Sequence, residues 1–169
     1  MDTKPPNLDS ELARKVIKVM SKVNVRLYRM TDGRVGGTWR VGAAWKKPIP
    51  ICLMEHRGRK SGLVRTTPLV YLRDGDRVIV VASQAGRATH PLWFRNVEAD
   101  PRVVVQTGRE RRQMTARTAD QAERADLWPR LVDLYADYDS YQSWTDREIP
   151  VVILERDHGH DSATGAPPA

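Results

Sequence analysis

Gly58-Arg59-Lys60-Ser61-Gly62, with Arg65 shortly after, is the stretch of this 169-residue chain best suited to holding an anion. Two glycines bracket a turn that presents two cations and free backbone N–H groups, and a third cation stands on the segment leaving it. Charge-assisted bonds from such groups to phosphate or carboxylate are roughly twice as strong as neutral ones. The turn is not a nucleotide P-loop, which needs a glycine directly before the lysine, where this chain has Arg59. A second concentration lies at residues 128–144. Trp128, Tyr135, Tyr138, Tyr141 and Trp144 fall there, in a chain with only five Trp, five Tyr and one Phe. The tyrosines recur every third residue and so share a face if the segment is helical. They serve either as packing residues or as the wall of a pocket that stacks on, and hydrogen-bonds, a flat oxygenated ligand.

Other chemistries lack their residues. Ser83 is not in a Gly-x-Ser-x-Gly elbow, and the single cysteine, Cys52, sits inside an apolar strand, so nucleophilic catalysis has no candidate. Gly33-Arg34-Val35-Gly36-Gly37 does not follow a predicted strand, which removes the context of a dinucleotide-binding Rossmann turn. The four histidines, His56, His90, His158 and His160, show no metal spacing on a rigid element, and no metal site is expected. One cysteine forbids an internal disulfide and suits a reducing cytoplasm.

The elements that must position these groups follow from periodicity and punctuation. Leu12, Val16, Met20, Val23 and Leu27 recur at three- and four-residue steps and predict an amphipathic helix over 10–29, with Arg14, Lys15, Lys18, Lys22, Arg26 and Arg29 on its other face. The Gly-rich stretch Thr31 to Pro48, carrying Trp39 and Trp45, predicts a loop. Strands are expected at 50–55, 64–72, 78–83, 103–107, 112–118 and 150–154, most of them joined by Gly or Asp-Gly turns. Helices are expected from Pro91 to about Ala99 and from an Asp120 cap towards Tyr135. Six strands in hairpin-like order with inserted helices give an α+β fold built on a small antiparallel barrel. The expected organisation is an N-terminal helix over 1–30, a barrel domain over 31–156 and a disordered tail over 157–169, whose Gly, Pro, Ala, Asp and His content gives it nothing to bury.

The net charge of +7 is uneven: residues 1–60 hold 14 Lys/Arg against 5 Asp/Glu, and the remainder 14 against 16. A basic first third attracts anionic small molecules, anionic lipid or nucleic acid, and composition alone does not choose among them. No module of a nucleic-acid-binding protein accompanies the charge, so no nucleic-acid partner is expected. No apolar run approaches the 18 to 20 residues, roughly, that a membrane-spanning helix requires. The first six residues lack the apolar core of a secretory signal.

Taken together, Gly58-Arg59-Lys60-Ser61-Gly62, Arg65-Thr66-Thr67-Pro68-Leu69, Leu72-Arg73-Asp74-Gly75, Val80-Val81-Ala82-Ser83, His90-Pro91-Leu92-Trp93-Phe94-Arg95-Asn96 and Tyr141-Gln142-Ser143-Trp144-Thr145-Asp146-Arg147-Glu148-Ile149-Pro150 resemble, in order and spacing, the deazaflavin-dependent nitroreductase and F420H2-dependent quinone reductase family of actinobacteria. The resemblance covers roughly residues 20–155. It implies a split β-barrel related to FMN-binding, pyridoxamine-phosphate-oxidase-like proteins. It also implies coenzyme F420, and hydride transfer from the reduced coenzyme to a quinone, a nitroaromatic or a similar conjugated acceptor. Lys60 and Arg65, with Arg59, Ser61 and Gly62, would hold the phosphodiester and glutamates of the coenzyme tail. Ala82, Ser83, Gln84, Ala85 and Gly86 would border the ring, and Thr67, Pro68, Pro91, Leu92, Trp93 and Asn96 would help enclose it. Ser83 and Tyr135 are then candidates to stabilise negative charge on the acceptor oxygen, with Tyr138 and Tyr141 shaping the acceptor wall. Gln84 stands where many relatives carry Lys, and Val70 where some carry Tyr. Two readings stay open beside this one: an FMN-dependent oxidoreductase on the same barrel, and a non-catalytic basic protein that binds nucleic acid or lipid. Peripheral contact of the basic helix with an anionic membrane on the cytoplasmic side, and a homodimer of the kind related split barrels often form, are further expectations.

Overall fold

The computed structural model describes residues 25–39 and 48–156. Most of the expected helix over 10–29, the loop around Trp45 and the expected disordered tail lie outside the described residues. The elements in chain order are a helical segment α1 (residues 25–30), β1 (Thr38–Trp39), β2 (Ile49–Arg57), β3 (Val64–Asp74), β4 (Arg77–Val81), α2 (Leu92–Ala99), β5 (Arg102–Thr107), β6 (Glu110–Thr118), α3 (Gln121–Leu134), α4 (Asp137–Ser143) and β7 (Val151–Glu155). All pairings are antiparallel. The order β2-β3-β4-β7-β6-β5 closes on itself through a β2–β5 pairing at Leu53 to Glu55, which makes the six-stranded barrel, with the two-residue β1 attached to β2. This is the split β-barrel expected from the sequence. Closure also removes the unpaired edges that would otherwise invite aggregation.

Alternation along the strands sorts their side chains into two layers. Cys52 and Met54 of β2, Val78 and Val80 of β4, Val103 and Val105 of β5, Met114 and Ala116 of β6 and Val152 and Leu154 of β7 fill one cluster together with Trp93, Phe94 and Val97 of α2. The alternate residues Ile79, Val81, Val151 and Ile153 pack outward against Leu127 and Leu131 of α3 and Tyr135 and Tyr138 beside it. Strands β4 and β7 are thus covered on both faces, which accounts for their unbroken apolar runs. Helix α3 begins at a complete capping box, with the Asp120 carboxylate accepting from Glu123 N–H and the Glu123 carboxylate accepting from Asp120 N–H.

Two expectations change in detail. The predicted apolar stripe ends on Leu27, yet Leu27 is exposed and Tyr28 is the buried residue of α1. The Tyr28 ring packs against Ile51 and Leu53, and its hydroxyl accepts from the N–H of Gly108 at 2.8 Å, which gives the β5–β6 turn a partner. The tyrosine segment is not one helix. Tyr135 is the extended residue closing α3, with φ −147°, and a new short helix starts at Asp137. Three residues on one face therefore become a junction residue and two helical ones, which draws the rings inward on each other.

Candidate functional site

Four segments meet beside one end of the barrel: the β2–β3 turn, the start of α2, the loop after β4, and α4 with the segment that follows it. The first two are tied together by buried polar side chains. His56 and Asn96 are the buried polar side chains among the described residues. Asn96 Oδ1 accepts from the backbone N–H of Arg59 at 3.2 Å, while its Nδ2 lies 3.2 Å from His56 Nδ1. His56 Nε2 lies 3.1 Å from the hydroxyl of Thr67. This chain of side chains fixes the Arg59 turn to β3 on one side and to α2 on the other. Burial, and then the positive Arg65, hold the His56 imidazole below its ordinary pKa.

The turn itself carries cations without anions. Arg29, Arg57, Arg77, Arg102, Arg111, Arg117 and Arg130, among others, are paired with carboxylates. Arg59, Lys60 and Arg65 have no carboxylate partner among the described residues; Arg65 reaches only the Ser61 hydroxyl, at 3.5 Å. Gly62, at φ +67°, closes the turn and donates to the carbonyl of Gly58 at 2.7 Å. Three neighbouring cations with no counter-charge among the described residues suit a ligand that brings several negative charges.

After β4 the chain turns left-handed over three residues: Gln84 at φ +49°, Ala85 at +52° and Gly86 at +67°. Only glycine adopts this conformation freely, so two side-chain-bearing residues here store strain. Gly86 is required for a second reason. A Cβ there would stand 2.8 Å from the Tyr141 carbonyl and 3.2 Å from Trp144, so α4 could not lie against the turn. No backbone acceptor for the amide N–H groups of Gln84 and Ala85 is found among the described residues.

Tyr135 and Tyr141 place their hydroxyls 3.1 Å apart. Burial, the Asp137 carboxylate and Tyr141 push the Tyr135 phenol well above its ordinary pKa; burial also raises Tyr141. Both stay protonated and can only donate or relay a proton at neutral pH. Tyr138 is almost wholly buried and packs edge-on to Tyr135 at 5.1 Å. The structure therefore brings Tyr141 beside Gly86, joins Tyr135 to Tyr141, and sets Tyr138 behind them in the outer core.

The remaining candidates divide. Trp93 is buried in the barrel cluster, edge-on to Phe94, and Pro91 is buried beside it, whereas Leu92 is 72% exposed. Thr67 and Pro68 lie on β3 opposite Met54 and Leu53, with Thr67 joined to His56. Ala82 is fully buried and Ser83 half-buried at the start of the left-handed turn. Sequence reasoning missed His56 and Arg147. His56 continues the inward row Cys52, Met54 at two-residue steps, a signal that was there to read; Arg147 lies within the Tyr141–Pro150 motif of the family resemblance, but no local pattern gives it a role.

An open groove of about 350 Å³ also runs between β2, β5 and β6, past His56, Arg57, Asp100, Arg102 and Met114. It adjoins the cationic turn but includes none of the tyrosines or the residues of the left-handed turn.

Comparison with known proteins agrees with this architecture. The family model for F420H(2)-dependent quinone reductases matches residues 20–156. A Mycobacterium tuberculosis protein named for that activity is 53% identical over 115 residues, which span 68% of this chain and 97% of the relative. An F420H(2)-dependent quinone reductase of the same organism is 36% identical over 148 residues, covering 86% of this chain and 95% of its own. Among solved structures, an F420-H2 dependent reductase is similar at a TM-score of 0.59 with 41% identity, covering 63% of this chain and 94% of that one. A chain from a domain-swapped dimer is similar at 0.60 and 41%, covering 63% and 80%. The cationic turn, the left-handed loop and the tyrosine pair are thus features of a chain that belongs to the F420H(2)-dependent quinone reductases, a family of oxidoreductases that use the deazaflavin coenzyme F420.

Proposed function

We propose that this chain passes a hydride from reduced F420 to a quinone held against Ser83 and the Tyr135–Tyr141 pair. The observation that carries the reading is the trio Arg59, Lys60 and Arg65, grouped at one turn with no carboxylate partner among the described residues, where ten other arginines have one. The phosphodiester and glutamate carboxylates of the coenzyme tail would supply the missing charge, with the N–H group of Ser61 beside them and Gly62 closing the turn that presents it. Ala82, Ser83, Gln84, Ala85 and Gly86 would border the ring. Pro68, Pro91, Trp93 and Asn96 act chiefly by fixing the walls, and Leu92 is free to close over a bound ring.

The bound coenzyme supplies two electrons as hydride, so the protein needs no strong base. Its residues fix the approach of the acceptor and meet the charge that develops on it. Tyr135 has both Tyr141 and the Asp137 carboxylate as hydrogen-bond partners, so the proton offered to a quinone oxygen would be that of the Tyr141 hydroxyl. Their raised pKa values keep that proton in place until negative charge develops nearby. Tyr138 stiffens the pair from behind. Nitroaromatic compounds develop the same charge on a nitro oxygen and form the second acceptor class for this face.

Titration of the protein with oxidised F420, followed by its fluorescence with FMN as comparator, tests the cofactor. Micromolar or tighter binding that is lost in Lys60→Ala/Arg65→Ala supports the reading. Preference for FMN would replace it with a flavin enzyme on the same barrel. Salt-dependent nucleic-acid binding that survives the double substitution would favour the non-catalytic alternative.

A peripheral membrane contact belongs to the same proposal. Leu27, Met30 and Val35 are exposed beside the equally exposed Arg26 and Arg34, an apolar group rimmed by positive charge and suited to anionic lipid. Co-sedimentation with phosphatidylglycerol vesicles at low salt, reversed at high salt, is the expected result; no sedimentation at low salt ends this part of the reading. Among the described residues no helix is long and apolar enough to cross a membrane.

A further inference from the structure

The Arg147 guanidinium lies beneath the left-handed turn and spends its donors on the backbone there. Its Nη2 donates to the carbonyls of Ala82 at 3.2 Å and Ser83 at 2.8 Å, and its Nε donates to the carbonyl of Arg87 at 2.8 Å. Its Nη1 lies 3.3 Å from His90 Nδ1, which accepts when the imidazole is neutral. These contacts bracket Gln84, Ala85 and Gly86: two carbonyls before the left-handed stretch and one after it. No carboxylate pairs with Arg147 among the described residues. Its side chain is half-buried, and loss of solvent disfavours its charged form.

A surface arginine is ordinarily paired or solvated, and three successive left-handed residues are ordinarily unstable. Each state is explained by the other. Strain at Gln84 and Ala85 persists only where the surroundings over-determine the backbone. One planar fork of donors is the shape that can hold three carbonyls at once; an ammonium cannot match it. Arg147 is itself anchored, because its carbonyl accepts from Gln142 Nε2 at 2.9 Å, and Gln142 Oε1 accepts from Ile149 N–H at 2.9 Å. Because the Ser83 carbonyl turns towards Arg147, the Gln84 N–H of the same trans peptide points the other way, and the Gln84 carbonyl is taken by the N–H of Arg87.

We propose that Arg147 is the positioning residue of the deazaflavin site, a guanidinium clamp that holds Gln84-Ala85-Gly86 in the left-handed conformation the ring requires. This rests on the F420 reading above. The clamp should matter for the ring and not for the tail, which separates it from Lys60 and Arg65.

The test compares Arg147→Met, Arg147→Lys and Lys60→Ala for binding of intact F420 and of the tail-less deazaflavin riboside. Amide hydrogen exchange of the coenzyme-free proteins is measured alongside. Arg147→Met should weaken both ligands by a similar factor of about ten or more, the size expected for lost charge-assisted bonds. Lys60→Ala should weaken only the intact coenzyme. In Arg147→Met the amides of Gly86 and Arg87, which close the turn onto Ser83 and Gln84, should exchange faster while the barrel strands keep their protection. Arg147→Lys should restore little, and added methylguanidinium should rescue riboside binding by Arg147→Ala. Unchanged riboside affinity in a folded Arg147→Met overturns the proposal. So does faster exchange throughout the barrel, which would make Arg147 a general stabilising residue. Failure of the wild type to bind either ligand sinks the F420 reading and the proposal with it, and is recognisable because it precedes any substitution.

Discussion

Asn96 ties three parts of the site together through one amide, and its substitution separates them. Its oxygen takes the Arg59 N–H and its nitrogen faces His56. In Asn96→Leu the branched shape is kept and both bonds are lost, leaving the part-buried Arg59 N–H and a buried imidazole nitrogen unpaired. A stability loss of about 1–3 kcal/mol is expected from the stranded groups, together with weaker F420 binding as the turn loosens; denaturant unfolding and fluorescence titration measure the two. Asn96→Asp keeps the acceptor for Arg59 and sets a carboxylate against His56. The imidazole pKa, now depressed by burial, should rise, and an NMR titration of the ring protons reads it directly. Tyr135→Phe addresses the chemistry. It deletes one hydroxyl of the pair and breaks the 3.1 Å contact to Tyr141. Quinone turnover should fall by about 100-fold or more, the size expected for removal of one hydrogen-bonding group near a developing charge, while F420 affinity stays nearly constant. An unaltered rate would remove Tyr135 from the mechanism.

At the scale of elements, the left-handed turn and α4 are fitted to each other through Gly86. A methyl added there meets the Tyr141 backbone, which has little room to give, and it places an ordinary side chain at φ +67°. Gly86→Ala should therefore cost about 1–3 kcal/mol in unfolding free energy and displace Tyr141, so turnover falls more than coenzyme affinity. The contrast with Gly62, also left-handed but with open space around its Cβ position, makes Gly62→Ala the milder control. These elements were legible in the sequence to different degrees for physical reasons. The barrel strands announced themselves because period-two alternation and Gly or Asp-Gly turns are local signals, and all six expected strands lie within two residues of those observed at most ends. The cationic turn was legible because its residues are contiguous. The break at Tyr135 was not: the residue is extended without a glycine or proline to mark it, and tertiary packing of Tyr135 on Tyr138 decides it. The role of Arg147 was invisible for the same reason, since its partners lie 57 to 65 residues away in the chain.

For the whole molecule, two sets of titrating groups set the acid limit of stability, and their windows are separate. Burial depresses the pKa of His56 and His90 in the folded state below the ordinary 6.5, with Arg65 adding to the effect at His56 and Arg147 at His90. Below that pH the unfolded chain takes up protons that the folded one refuses, so stability is intact above about 6.5 and declines as the pH falls from there to the folded-state values. Carboxylates act lower. Arg117 and the Asp120 N–H hold Glu123 down at about 2, and Asp74 and Asp100 are lowered by Arg130 and Arg102 respectively. Their contribution is present above the ordinary carboxylate range near 4.5 and is lost as the pH approaches 2. Thermal melting should accordingly show two acid steps. His56→Gln, which keeps a donor and an acceptor at the centre of the Thr67–Asn96 chain, should shrink the upper step to the share of His90 and leave the lower one. Glu123→Gln should do the reverse, and should lower stability at neutral pH by removing the bidentate partner of Arg117. Anion binding couples to the upper step. Negative charge brought to Arg65 offsets its repulsion of the His56 cation, so saturating F420 should shrink the melting loss between pH 7 and 5.5, roughly the range over which histidine gains its proton. The same shrinkage is expected from neutralising the cation in Arg65→Gln without coenzyme. An acid step that ignores both treatments would mean that Arg65 and His56 do not sense each other, and the tail site would then have to lie elsewhere on the turn.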